Sequence, residues 1–199
     1  MTNARRLPTF GLGPPGPEAG RTLAAGLLMT AGLPPLAWTS PVVAVAVAVL
    51  AVQLTRAERP GRTGWFFGLA HQGSLLVWLF FLDPAKSIPT RALVPTQAAA
   101  TILYVSVFYL GLGWAFGRLR RRLGAGRALA LLPVLWAVME GLRSQGELAF
   151  PWCLAGSALL DTPLRFLLRA GEPAVGAALV FAAAAAAAGW ASRRNRALV

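Results

Sequence analysis

The chain is 199 residues long, 56% hydrophobic and only 13% charged, with a mean hydropathy of +0.59. Soluble domains carry about twice that charged fraction, and here the apolar residues fall in long uncharged runs, so the composition excludes a soluble globular domain and describes a polytopic membrane protein. One cysteine and one histidine exclude an intrachain disulfide and any Cys-based or multi-His metal site, and the +12 charge reads as topology signals and anionic-lipid contact rather than nucleic-acid binding, because no basic stripe is interleaved with exposed aromatics.

Residues 1–21 hold Pro14, Pro15, Pro17 and four glycines, and read as an irregular cytoplasmic arm. No cleavable signal peptide is expected, since the first apolar run follows about twenty polar, Pro/Gly-rich residues and lacks a small-x-small cleavage site. Thr22–Leu33 is apolar but short, and ends at Pro34-Pro35. Ser40-Pro41 then offers an N-cap with proline at the first helical position for Val42–Leu54. The Val/Ala alternation of that segment imitates a strand. Its neighbours have the length of lipid-spanning helices, however, and an unpaired strand cannot sit in lipid, so the two segments are expected to form a short helical hairpin across the bilayer.

Arg56, Arg59 and Arg62 mark a loop before the span Gly64–Leu82, and Asp83–Arg91, with Pro84 and Pro89, is a turn that carries Lys86. Ala92–Phe116 is the longest apolar run and ends in Arg118, Arg120, Arg121 and Arg122. Ala128–Leu142 is the fifth span. Within Gly146–Gly171, the segment Leu164–Leu168 between Arg165 and Arg169 suits an interfacial helix. Val175–Trp190 is the last span, inside a transmembrane domain placed at 22–192, and residues 193–199 form a basic tail. With the N-terminus in the cytoplasm, the inner segments hold 14 basic residues and the outer ones 5, while only Glu18 and Glu58 of the seven acids lie inside. That asymmetry predicts about six helices with both termini cytoplasmic.

Several residues are candidates for chemistry. Gly64-x-x-x-Gly68 and Gly113-x-x-x-Gly117 allow close helix approach, within one subunit or against a partner. His71, Gln72 and Ser74 lie mid-span and predict an interhelical hydrogen bond. The alternative for His71 is axial ligation of a tetrapyrrole pigment, which needs one imidazole. Glu140 and Arg143, at i and i+3, share a helix face and are expected to form a structural ion pair that lowers the cost of a charge near hydrocarbon. No nucleophile stands beside Glu140, and Cys153, after an aromatic turn without a catalytic partner, reads as a small buried hydrophobe. No catalytic residue and no metal site are assigned.

The ordered motifs then point to a family. Leu33-Pro34-Pro35, the series Gly64, Gly68, Gly73, Ser74 and Trp78, the series Pro133, Leu135, Trp136, Glu140, Leu142, Arg143, Phe150, Pro151 and Trp152, and finally Gly156, Asp161, Pro163 and Leu164 together resemble the membrane domain of apolipoprotein N-acyltransferases, from about Leu23 to Ala188. Ser144 and Ala149 stand where the pattern has glycine. The resemblance implies phospholipid as a bound molecule, with Trp78, Trp136, Phe150 and Trp152 in contact with lipid. It also implies that catalysis belongs to a Glu–Lys–Cys triad in a nitrilase-like outer domain, which is expected to be absent. Polar positions of the lipid cleft are replaced by Val77-Trp78-Leu79-Phe80 and Gly156-Ser157-Ala158-Leu159. The sequence therefore predicts a non-catalytic scaffold or accessory subunit of a larger assembly in the bacterial cytoplasmic membrane, energy-converting or pigment-bearing. Its partners would be lipids and other integral membrane subunits, not nucleic acid. The alternative is the membrane half of a split N-acyltransferase.

Overall fold

The computed structural model of the protein describes residues 17–33, 41–83 and 92–196, with side chains through Gly189. The expected N-terminal arm up to residue 16, the Pro34-Pro35 turn, the Ser40 cap, the turn bearing Lys86 and Arg91, and the last three residues lie outside the described residues. Among the described residues the chain is all helical: α1 (Pro17–Ala31), α2 (Pro41–Arg56), α3 (Pro60–Leu75), α4 (Leu93–Leu123), α5 (Ala125–Arg143) and α6 (Glu172–Arg196), with 3₁₀ segments at Val77–Phe81, Ala155–Leu159 and Pro163–Ala170.

The helices α4, α5 and α6 contain stretches long and apolar enough to cross a membrane. At 1.5 Å per residue the 31 residues of α4 reach roughly 46 Å, longer than a bilayer core about 30 Å thick. The helices close a ring in the order α2, α1, α3, α4, α5, α6 and back to α2. Helix α2 also leans inward, burying Val43, Ala46, Val47, Leu50, Ala51 and Leu54. Its Val/Ala pattern packs as a core helix, consistent with the demand that backbone groups in lipid be satisfied within the segment.

Several boundaries differ from the sequence expectation: α3 takes in Arg62 of the expected loop, α4 runs through its arginines to Leu123, and α5 and α6 begin three residues early. Helix α1 starts at Pro17, so residues 17–21 belong to it rather than to the arm: proline suits a first helical position, and Thr22 Oγ1 donates to the Glu18 carbonyl at 3.0 Å. The span expected over Gly64–Leu82 breaks at Leu76 into α3 and a 3₁₀ segment. Ser74 Oγ bonds back to the carbonyls of Ala70 (2.7 Å) and His71 (3.0 Å), and such back-bonding bends helices. The expected tail, in turn, continues α6 as far as Arg196.

Both glycine motifs act inside this one chain. A Cβ on Gly64 would overlap the Tyr109 carbonyl and lie 3.3 Å from Gly113 Cα, and one on Gly113 would overlap the Pro60 carbonyl. Helices α3 and α4 thus touch backbone to backbone, the contact that replaces hydrophobic driving force between helices in lipid. At the end of the bundle carrying the α2–α3 and α4–α5 turns, Arg120 points inward. Its guanidinium donates to the carbonyls of Leu54 (3.0 Å), Thr55 (2.6 Å) and Ala57 (2.7 Å), capping the C-terminus of α2 where a cation is favoured.

Candidate functional site

The polar residues singled out in the sequence converge on Tyr109 of α4. Gln72 Nε2 from α3 donates to its hydroxyl at 3.5 Å and Arg143 from α5 at 3.4 Å. The ring is packed by Phe67 (centroids 5.5 Å apart), His71 (5.8 Å, edge-on) and Trp136 (5.9 Å, edge-on). His71, Gln72, Trp136, Glu140 and Arg143 are all fully buried, at 0% exposure. A buried tyrosine needs a partner for its hydroxyl, and this one joins three helices through it.

Glu140 and Arg143 do not pair directly, contrary to the expected ion pair. Glu140 Oε1 accepts the Ala155 N–H at 2.6 Å, and its Oε2 faces Gly176 of α6, where a Cβ would come within 2.7 Å. Arg143 turns the other way, donating to the Trp152 carbonyl at 3.2 Å as well as to Tyr109. The Arg143 carbonyl also accepts from Phe150 N–H at 2.8 Å. The physical reason is that the 150–155 turn brings backbone groups within reach, the buried Ala155 N–H and the part-buried Trp152 carbonyl, and the two side chains satisfy those instead of each other. The pair thus latches the Phe-Pro-Trp turn onto the end of α5.

The turn displays aromatic surface. Trp78 stacks on Trp152 with centroids 5.4 Å apart, and Trp152 on Phe150 at 5.9 Å. Trp78 and Trp152 are exposed, as are Val77, Phe80 and Phe81 beside them. Tyr104 Oη donates to the Leu148 carbonyl at 3.1 Å and ties the loop to α4. Of the four residues expected to touch lipid, Trp78, Phe150 and Trp152 meet in this stack. Trp136 does not: it is sealed in the core beneath Tyr109, one helical turn before Glu140 on the inward face of α5.

His71 makes the interhelical bond: Nδ1 lies 2.9 Å from Thr30 Oγ1 of α1, and that hydroxyl donates to the His71 carbonyl at 2.9 Å. Nε2 is buried without a hydrogen bond.

Cys153 is half-buried, packs against the core and takes a left-handed backbone at φ 49°. Burial pushes its thiol above the ordinary range, the opposite of what an activated nucleophile needs. Among the described residues no group of three or more His, Cys, Asp or Glu side chains could hold a metal. The expected interfacial helix is the 3₁₀ segment Pro163–Ala170, almost wholly exposed, with Thr162 Oγ1 accepting from Leu164 N–H at 3.2 Å.

Sequence reasoning missed Tyr109 and Thr30. Tyr109 is one of only two tyrosines in the chain and sits inside its longest apolar run. That position was the available signal.

A ring of apolar helices with a buried polar hub and a latched aromatic turn defines a helical membrane domain. The apolipoprotein N-acyltransferase N-terminal domain profile matches residues 25–186, and the chain belongs to that family. It is 29% identical over 135 residues to an apolipoprotein N-acyltransferase of Photobacterium profundum, covering 65% of this chain and 25% of that protein. To the corresponding protein of Coxiella burnetii it is 32% identical over 137 residues, covering 66% and 26%. A Vibrio cholerae relative is 27% identical over 135 residues. The matches thus span about a quarter of the length of these curated relatives.

Proposed function

We propose that the chain works as a non-catalytic integral membrane subunit, a scaffold built on the N-acyltransferase helix bundle. One observation carries this reading. Trp136, Glu140 and Arg143, the heart of the family signature, are wholly buried, and the bonds of Glu140 and Arg143 go to this chain's own turn and to Tyr109. Residues so enclosed hold a shape; they do not meet substrate. The proposed setting is the bacterial cytoplasmic membrane with both termini inside, supported by the 14-to-5 split of basic residues. The proposed partners are phospholipid and other integral membrane subunits.

A second reading, the membrane half of a split N-acyltransferase, is favoured by the exposed Trp78–Trp152–Phe150 stack. Aromatic rings at a helix end suit the headgroup level of a bilayer, where acyl donors and lipid-modified acceptors lie. Purification of the native protein in mild detergent separates the two. The scaffold reading expects a stable complex with unrelated membrane subunits. Recovery of a nitrilase-like chain, with lipoprotein N-acylation restored when the two are co-expressed, would overturn it.

A further inference from the structure

At the end of the bundle opposite the aromatic turn, α5 and α6 part to leave a groove of about 180 Å³. Its walls are Gly126, Leu129 and Ala130 of α5 and Phe181, Ala184 and Ala188 of α6, with no charged side chain among them. Groove and turn adjoin, because Gly126 lies one residue from Arg127 and two from Gly124, the positive-φ glycine that joins α4 to α5. Around that turn Arg121, Arg122 and Arg127 are exposed, and among the described residues no hydrogen bond or ion pair engages them. Arg118 nearby lies over the Trp114 ring at 4.9 Å, the posture of an interfacial anchor. Arg120, between them in sequence, is fully committed to the α2 carbonyls.

We infer that this end holds an anionic diacyl phospholipid, with its phosphate on Arg121, Arg122 and Arg127 and one acyl chain along the α5–α6 groove. Two independent features fit one molecule: an unpaired cationic rim and, directly beneath it, a slot that offers nothing but van der Waals contact. Inside a bilayer the slot alone has no preference for a tail over its neighbours, since every tail is equally apolar. Selectivity comes from the rim, where each arginine near an anionic surface is worth about fivefold in affinity. The slot then orders a bound chain and distinguishes a site from diffuse attraction. The cationic rim favours the lipid over a second apolar helix as occupant, because a helix offers the exposed arginines no anion.

The test uses the full chain in nanodiscs, with thermal unfolding and native mass spectrometry as readouts. Phosphatidylglycerol should raise the melting temperature over phosphatidylcholine and remain bound as one or two retained lipids. Arg122→Gln with Arg127→Gln should weaken retention on the order of twenty-fold or more at two arginines, and the Lys double variant should recover most of it. Ala130→Phe, at an exposed position that fills the slot, should lose retention with every arginine intact. Equal stabilisation by the two lipids overturns the inference, as does wild-type retention in Ala130→Phe, which would leave only surface charge. Equal protection by inorganic phosphate would assign the rim to a free anion, and a change of oligomeric state in Ala130→Phe without loss of lipid would assign the slot to a protein helix. Either result refutes the lipid site.

Discussion

Alanine at Gly64 and alanine at Gly111 should move stability in opposite directions, although both glycines lie inside helices. At Gly111 nothing stands within 4 Å of an added Cβ, so the substitution should return the helix-propensity gain of about 1 kcal/mol. At Gly64 the same methyl group would overlap the backbone carbonyl of Tyr109. That atom cannot rotate away as a side chain would, so α3 and α4 must separate. Overpacking of this kind costs about 1–3 kcal/mol. Both variants share the propensity term, so the difference between them isolates the clash, at about 1–3 kcal/mol. Separation would also lengthen the Gln72–Tyr109 contact, already 3.5 Å, and loosen the polar hub. Reversible unfolding in mixed micelles, titrated with SDS and followed by circular dichroism and tryptophan fluorescence, measures the difference. If Gly64→Ala proves as stable as Gly111→Ala, the backbone contact between α3 and α4 is not what holds them.

Glu140→Ala removes the acceptor for the Ala155 N–H and should cost about 1–3 kcal/mol, with faster proteolysis in the 144–155 loop as the local readout. Arg120→Met should destabilise α2 by roughly 1.5–3 kcal/mol, seen as faster amide exchange at its C-terminal end; Lys should rescue it only in part, because a point charge cannot reach three carbonyls as a fork does. Burial raises the Cys153 thiol, so less thiolate is present at neutral pH than in a free cysteine, and alkylation should lag an unfolded control and accelerate only at more alkaline pH. An alkylation rate above that control at neutral pH would contradict the inert role given to this residue. Trp78→Ala should open the Trp152 ring, shifting tryptophan emission and quenching by brominated lipid at the aromatic end while leaving global stability nearly intact.

Much was legible in the residues alone, for reasons tied to lipid. Long uncharged runs can only be helices there, since hydrocarbon gives backbone groups no partner, and that overrode the strand-like alternation of α2. The family was readable because the ordered motifs around Trp136, Glu140, Arg143 and Phe150-Pro151-Trp152 are sequence features. What side chains do with their polar atoms was not. Glu140 and Arg143 are three residues apart on one face, which suggested a mutual bond, yet the turn that folds back over α5 supplies nearer backbone partners. Trp136 shares the motif with Trp152, but 3.6-residue periodicity on α5 directs one ring to the core and the loop holds the other outside. Tyr109 became the centre of the hub only because the Gly64 and Gly113 contact draws α3 and α4 together, a long-range consequence no local pattern encodes. Composition and periodicity thus determined the class and the helices of this protein, and its ordered motifs the family. Only the tertiary structure decided which polar groups meet, because in a sealed interior each buried donor takes whichever acceptor the packing brings within reach.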